Sequence, residues 1–169
     1  MRVFNNTPAD PLKVLRRMLL AKTCLDAGRP LIDEEGKPIS VLIIFMGAGW
    51  GGAYGAGIAH ALQDAGLGDV SKAMAGISSG VMTEIALATH HAHELVPFYA
   101  GLLSQEQLIE SLNEPKGKSK RRKGKNKINL KEHIIDPVNK LLGDDAIHQV
   151  SMGLYAVVTE SPSGKGKLI

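Results

Sequence analysis

Cysteine is almost missing from this 169-residue chain: Cys24 stands alone, so no internal disulfide can form and no second thiolate is at hand for a metal. That usage fits a reducing compartment, with Cys24 expected as a small buried hydrophobe. Long apolar runs are missing too. The longest, Val41 to Met46, falls far short of the ~18 residues that cross a bilayer, so no transmembrane helix is expected. Met1 to Asp10 has no apolar core behind its single Arg2, does not read as a secretory signal, and leaves a cytoplasmic start as the expectation. Aromatic residues make up only 4%, and none falls in the most basic segment, so stacking on nucleic-acid bases is not expected there.

What is present is the composition of a soluble globular domain, 44% apolar and 22% charged, in a chain long enough for one core. The formal net charge of +3 hides a segregation. Lys116 to Lys127 holds eight of the 20 basic residues and no acidic one, which leaves 12 basic against 17 acidic residues elsewhere. Such a run of like charge repels itself, and a solvated loop is its plainest reading.

Hydrophobic spacing organises the rest. Leu12, Leu15 and Leu19 recur at helical intervals after Thr7-Pro8-Ala9-Asp10-Pro11, and Gly28-Arg29-Pro30 supplies a stop. A turn over Asp33 to Pro38 closes this N-terminal region, 1–38. Ile39 to Met46 then forms a β-branched apolar run of the kind buried on both faces of a parallel sheet. A glycine-rich turn follows, and Ile58, Leu62 and Ala65 mark a helix over Ala53 to Ala65 that Gly66 can cap. Val70 to Ala75 is a second short strand, and a second helix runs from about Val81 to His90. Further helices are expected over Gln105 to Leu112 and Leu130 to Leu142, the latter kinked or split at Pro137. Met152 to Thr159 alternates as a strand, Ser161 to Gly164 reads as a turn, and another strand has barely begun at Ile169. The expected fold class is therefore α/β with a mostly parallel sheet, a single domain whose sheet is incomplete at its C-terminal side.

Two of these turns carry chemistry. Gly76-Ile77-Ser78-Ser79-Gly80 matches Gly-x-Ser-x-Gly, in which a sharp strand-to-helix turn lifts a serine hydroxyl clear of the sheet and flanking glycines remove obstruction. Ser78 is the candidate nucleophile, placed where free helix N–H groups favour developing negative charge. Its bland alternative is a glycine-serine turn without chemistry. Gly47-Ala48-Gly49-Trp50-Gly51-Gly52 lies between the first strand and helix, and its backbone N–H groups can serve as an oxyanion hole because glycines let the main chain approach a carbonyl closely. The same letters satisfy Gly-x-Gly-x-x-Gly, so a dinucleotide-binding module competes. It needs an acidic residue at the end of the next strand, about 20 positions on, whereas Asp69 precedes that strand and the strand ends in the serine turn.

Met46 to Tyr54, Gly57, Ala61-Leu62-Gln63-Asp64-Ala65-Gly66 and Gly76 to Gly80 together resemble, in order and spacing, the paired glycine and serine blocks of patatin-like phospholipases. The likeness is close from about Val41 to Ala88 and loose beyond, where Tyr155 to Thr159 followed by Gly164-Lys165 is similar to a later family strand and turn. The resemblance implies a three-layer α/β/α fold and a serine hydrolase of acyl lipids or phospholipids. Ser78 would be the nucleophile and Gly47, Ala48, Gly49, Gly51 and Gly52 the oxyanion hole. Gly76, Ile77, Ser79 and Gly80 would form the elbow. It implies no metal or organic cofactor and a serine-aspartate dyad rather than a histidine.

Two departures stand out. Gly51 occupies a place where many members carry a basic residue, and the family's Asp-Gly-Gly or Asp-Gly-Ala motif has no counterpart, because no Asp-Gly pair occurs anywhere in the sequence. Asp136, Asp144 and Asp145 precede the relevant strand and lack the glycine, so none is assigned as base. Little turnover is therefore expected of this chain, and a catalytically silent lipid- or partner-binding fragment is the second reading. His90, His91, His93 and Glu94 read as a polar helix end, since two ligands four residues apart do not define a metal site. His60, His133 and His148 stand alone, and Trp50 either lines an acyl pocket or packs on the sheet. The basic 116–127 segment is expected to bring an otherwise acidic, cytoplasmic protein peripherally to anionic membrane, with no specific nucleic-acid partner.

Overall fold

The computed structural model describes residues 10–47, 51–103, 135–143, 146–159 and 166–169. Helix α1, Pro11–Asp26, starts where Asp10 accepts a hydrogen bond from the Leu12 N–H at 3.0 Å and Pro11 fills the first turn. Its buried face is Met18, Ala21 and Cys24, and Met18 and Ala21 pack with Ile39, Leu67 and Val70. The leucine row that marked the helix points outward instead, with Leu12 63% exposed. Asp33 holds the following turn by accepting from the Glu35 and Lys37 N–H groups at 3.0 and 2.8 Å.

Strand β1, Val41–Phe45, runs parallel to β2, Ser71–Ile77, and β2 runs parallel to β3, Gly153–Thr159; β4, Gly166–Leu168, is antiparallel to β3. The sheet order is β1-β2-β3-β4. Between β1 and β2 lies α2, Gly52–Asp64, and β2 leads straight into α3, Ser79–Ala88. These are the two strand-turn-helix units expected from the sequence, in a mixed α/β fold with a mostly parallel sheet. The buried face of α2 is Gly52, Ala56 and Ala59, small residues that let its neighbours approach, while Ile58 is exposed.

Helix α4, Ala92–Leu103, was not among the expected helices, and Pro97 lies inside it. Its face of Ala92, Leu95, Tyr99 and Leu102 is buried against α2 and α3, and that packing outweighs the one backbone hydrogen bond a proline forfeits. Gln63 of α2 fixes its start, accepting from the Ala92 N–H at 2.8 Å. Helix α5 is Asp136–Leu142. Pro137 opens it rather than kinking it, since a first-turn N–H has no intrahelical acceptor to lose. Val138 and Leu142 join the cluster of Ala56, Leu95 and Tyr99. The helix expected over Gln105 to Leu112, the basic segment 116–127 and the turn at Ser161 to Gly164 lie outside the described residues.

One face of the sheet, carrying Phe45, Met74 and Leu154, is covered by Ala59, Leu87 and Ala88 of α2 and α3. The opposite face is open among the described residues, against the expectation that β1 is buried on both sides: Leu42 is 57% and Ile44 53% exposed, and Tyr155 and Val157 share that face. Among the described residues no helix is long and apolar enough to cross a membrane.

Candidate active site

The register of the first two strands determines what meets at their ends. Phe45 pairs with Gly76, so two further residues bring Gly47 level with Ser78 beyond the carboxyl ends of β1 and β2. Open parallel sheets bind ligands in that position. A Cβ placed on Gly47 would stand 2.6 Å from the Ser78 Cβ and collide with the Ile77 carbonyl oxygen. Glycine is therefore required where the loop crosses the serine turn.

Ser78 occupies the position between β2 and α3 with φ 54° and ψ −124°, a region that residues with side chains rarely adopt, and it is exposed to solvent. The turn is held by close approach on both sides. Gly80 lies on the Phe45 carbonyl, whose carbon would be 2.7 Å from an added Cβ, and Gly76 lies on α3, with Val81 Cα 2.5 Å from the equivalent point. Each glycine of the Gly-x-Ser-x-Gly pattern thus meets backbone, and the two contacts together press the helix start against the ends of β1 and β2. Ile77 and Ser79 flank the serine, half-buried.

Of the candidate oxyanion loop, Gly47, Gly51 and Gly52 are described, whereas Ala48, Gly49 and Trp50 lie outside the described residues. Gly51 stands at the head of α2 with no side-chain cap among the described residues, and the first-turn N–H groups of a helix have no intrahelical acceptor. Met46, before the loop, and Tyr54, in the first turn of α2, are exposed.

Two residues at the site went unmarked in the sequence. Glu84 of α3 is 1% exposed, accepts a hydrogen bond from the Tyr155 N–H at 2.9 Å, and lies against Gly76. Burial pushes its carboxyl above the usual range, and the Tyr155 N–H pulls partly the other way. The signal was available: a lone carboxylate inside Val81-Met82-Thr83-Glu84-Ile85-Ala86-Leu87-Ala88 needs a partner or a proton. Tyr99 of α4 is the other, its ring buried and its hydroxyl on the Gly52 backbone. Burial pushes its phenol up, while the Ser79 side chain opposes the shift.

Asp69 lies ahead of β2, at the end of the sheet opposite the glycine loop, with an oxygen 3.7 Å from His90 Nε2. It cannot serve as the ribose partner of a dinucleotide at Gly47 to Gly52. A cavity of about 290 Å³ at that far end is lined by Asp69, Thr89, His90, His91, Gln149 and Met152. His90 is the left-handed residue in the turn between α3 and α4, with φ 60°, so it shares no helix face with Glu94 of α4. The described residues contain no cluster of three metal-ligating side chains. Comparison of the chain with protein-family models, with curated proteins and with solved structures returns no match.

Proposed function

We propose that the chain is the nucleophile-bearing part of a patatin-like serine hydrolase of acyl lipids, with a three-layer fold when its open sheet face is covered. Ser78 attacks an ester carbonyl, and the N–H groups of the Gly47 to Gly52 loop receive the negative charge that develops on oxygen. The observation that carries this reading is the conjunction at Ser78: a solvent-facing serine in a strained backbone conformation, at the tip of a strand-to-helix turn, with Gly47 packed closely against it. Backbone strain persists where surrounding structure enforces it, and it concentrates at functional sites. Exposed Met46 and Tyr54 offer apolar contacts to an acyl chain.

No Asp-Gly pair is present to supply the family's base, so the acyl-enzyme forms slowly and ester turnover is minimal. Binding and an oxyanion hole alone still supply roughly 10³-fold acceleration when a nucleophile's partners are removed from a serine protease. A fluorophosphonate probe is therefore expected to label the folded chain stoichiometrically at Ser78, and Ser78→Ala to abolish labelling. A wild-type chain that stays unlabelled after prolonged exposure would leave the second reading, a silent lipid-binding fragment. Robust ester turnover abolished by Ser78→Ala would instead reveal a base within these residues.

A further inference from the structure

Among the described residues only two that carry a side chain hold a positive φ, Ser78 and His90, and the second has no part in the reaction at Ser78. The His90 N–H donates to the Leu87 carbonyl, and the next N–H, of His91, donates to the Ala86 carbonyl. In a helix end closed this way the left-handed residue is usually glycine, which takes the conformation without strain. An imidazole in its place calls for a use outside the turn. The side chain has one to hand, because it lines the cavity of about 290 Å³ at the end of the sheet remote from the glycine loop. That volume is close to the lower end of those that hold small ligands.

The groups around this cavity accept hydrogen bonds more readily than they donate them. Asp69 Oδ1 stands 3.7 Å from His90 Nε2, beyond hydrogen-bond reach, and the carboxylate has no other partner among the described residues. The Thr89 hydroxyl donates its one proton to the Ile85 carbonyl at 2.8 Å, so towards His91 Nδ1, 3.2 Å away, it can only accept. Nδ1 therefore carries the proton, and the Nε2 of the neutral ring presents a lone pair. Thr89 is also the C-cap of α3, so the negative end of that helix faces the same space. No lysine or arginine lines the cavity among the described residues, and Met152 gives it an apolar wall.

We propose that this cavity is a second binding site, for a compact primary amine with an apolar body. The ammonium group donates to Asp69 and to His91 Nε2 at the negative end of α3, and the body lies on Met152. An anion would meet the carboxylate and the helix carbonyl end without a cation to offset them. A wholly apolar ligand would leave the polar wall without partners. The site is separate from the serine turn: the seven residues of β2, at about 3.3 Å each, lie between Asp69 and Ser78.

The test titrates the whole chain, by calorimetry, with benzylamine, benzyl alcohol and phenylacetate, which share one apolar body and differ in the charge of the head. Benzylamine is expected to bind at one site with a Kd of about 1 mM or tighter, in keeping with so small a ligand. Benzyl alcohol should bind about tenfold more weakly and phenylacetate more weakly still. Asp69→Asn should weaken benzylamine about tenfold, to the level of benzyl alcohol, and His91→Ala should weaken it about threefold. Glu35→Gln removes the same charge from the exposed turn ahead of β1 and should leave the affinity unchanged. Absence of benzylamine binding, equal binding of all three compounds, or tighter binding of phenylacetate overturns the proposal. So does an equal loss in Asp69→Asn and Glu35→Gln, which would make the effect one of overall charge. Should Asp69→Asn not fold, wild-type affinity in His91→Ala overturns it on its own.

Discussion

Ser78 holds φ 54° and ψ −124° although a serine gains nothing from that conformation, and such a backbone costs roughly 1–3 kcal/mol. Glycine adopts it freely. Ser78→Gly is therefore expected to raise unfolding stability by about 1 kcal/mol, after allowing for glycine's greater unfolded-state entropy, and to abolish probe labelling. Urea denaturation of the two chains side by side measures the first, and a variant no more stable than wild type would show that the turn is not strained by its side chain. Glu84 makes the opposite kind of statement, because its carboxyl is raised by burial from the ordinary 4.5. The folded state then binds this proton more tightly than the unfolded state, so the stabilising contribution is complete below about pH 4.5 and is lost as pH rises through the raised folded value. Glu84→Gln keeps an acceptor for the Tyr155 N–H and cannot ionise. Its urea midpoint should diverge upward from the wild-type midpoint as pH rises from the acid side to neutrality; parallel curves would mean that Glu84 titrates normally.

At the scale of elements, the strand-turn-helix units are held together by glycines that differ sharply in what surrounds them. Gly80→Ala drives a methyl into the Phe45 carbonyl, which is backbone and cannot swing away, and a loss of about 1–3 kcal/mol is expected. Gly57, in the middle of α2, has nothing within 4 Å of its added Cβ, so Gly57→Ala should gain roughly 0.5–1 kcal/mol of helix stability. Thermal melts of both variants check the contrast, and equal effects would refute the packing of the turn against β1. These units were legible in the sequence because a β-branched run, a glycine turn and an apolar helix follow one another twice, and the turn residues carry their own geometry. Helix α4 was not, since Pro97 breaks the local pattern and only contacts with α2 and α3 outweigh it. Nor was the orientation of α1: Leu12, Leu15 and Leu19 announce a helix correctly, but periodicity cannot say which of two adjacent stripes finds a partner, and the Met18, Ala21 and Cys24 stripe is buried. The site was half legible. Ser78 and its glycines are written in five letters, whereas Glu84 and Tyr99 reach the turn only through the packing of α3 and α4.

Over the whole molecule, two surfaces are out of keeping with the rest. One is the sheet face with Leu42, Ile44, Tyr155 and Val157, open among the described residues, a patch of the kind that ordinarily lies against something apolar. The other is a matter of charge. Eight basic residues between Lys116 and Lys127, outside the described residues, sit in a chain whose remaining residues carry 12 basic and 17 acidic side chains. On the proposed reading the protein has to reach a bilayer, and each Lys or Arg close to an anionic surface contributes about 1 kcal/mol before screening. Eight of them suffice for reversible docking without an apolar anchor. The same charge attracts nucleic-acid phosphates, but the segment has no aromatic residue to stack on bases, so only nonspecific, strongly salt-dependent association is expected there. Co-sedimentation with vesicles separates these outcomes. The chain should bind phosphatidylserine-containing vesicles at low salt, lose most of that binding as salt rises past physiological strength, and bind neutral phosphatidylcholine vesicles weakly throughout. Replacing the eight lysines and arginines with glutamine should abolish the anionic component and leave the neutral one unchanged. Equal loss on both vesicle types would place the contact on the apolar face instead, and no loss on either would make the basic run a solvated connection between α4 and α5.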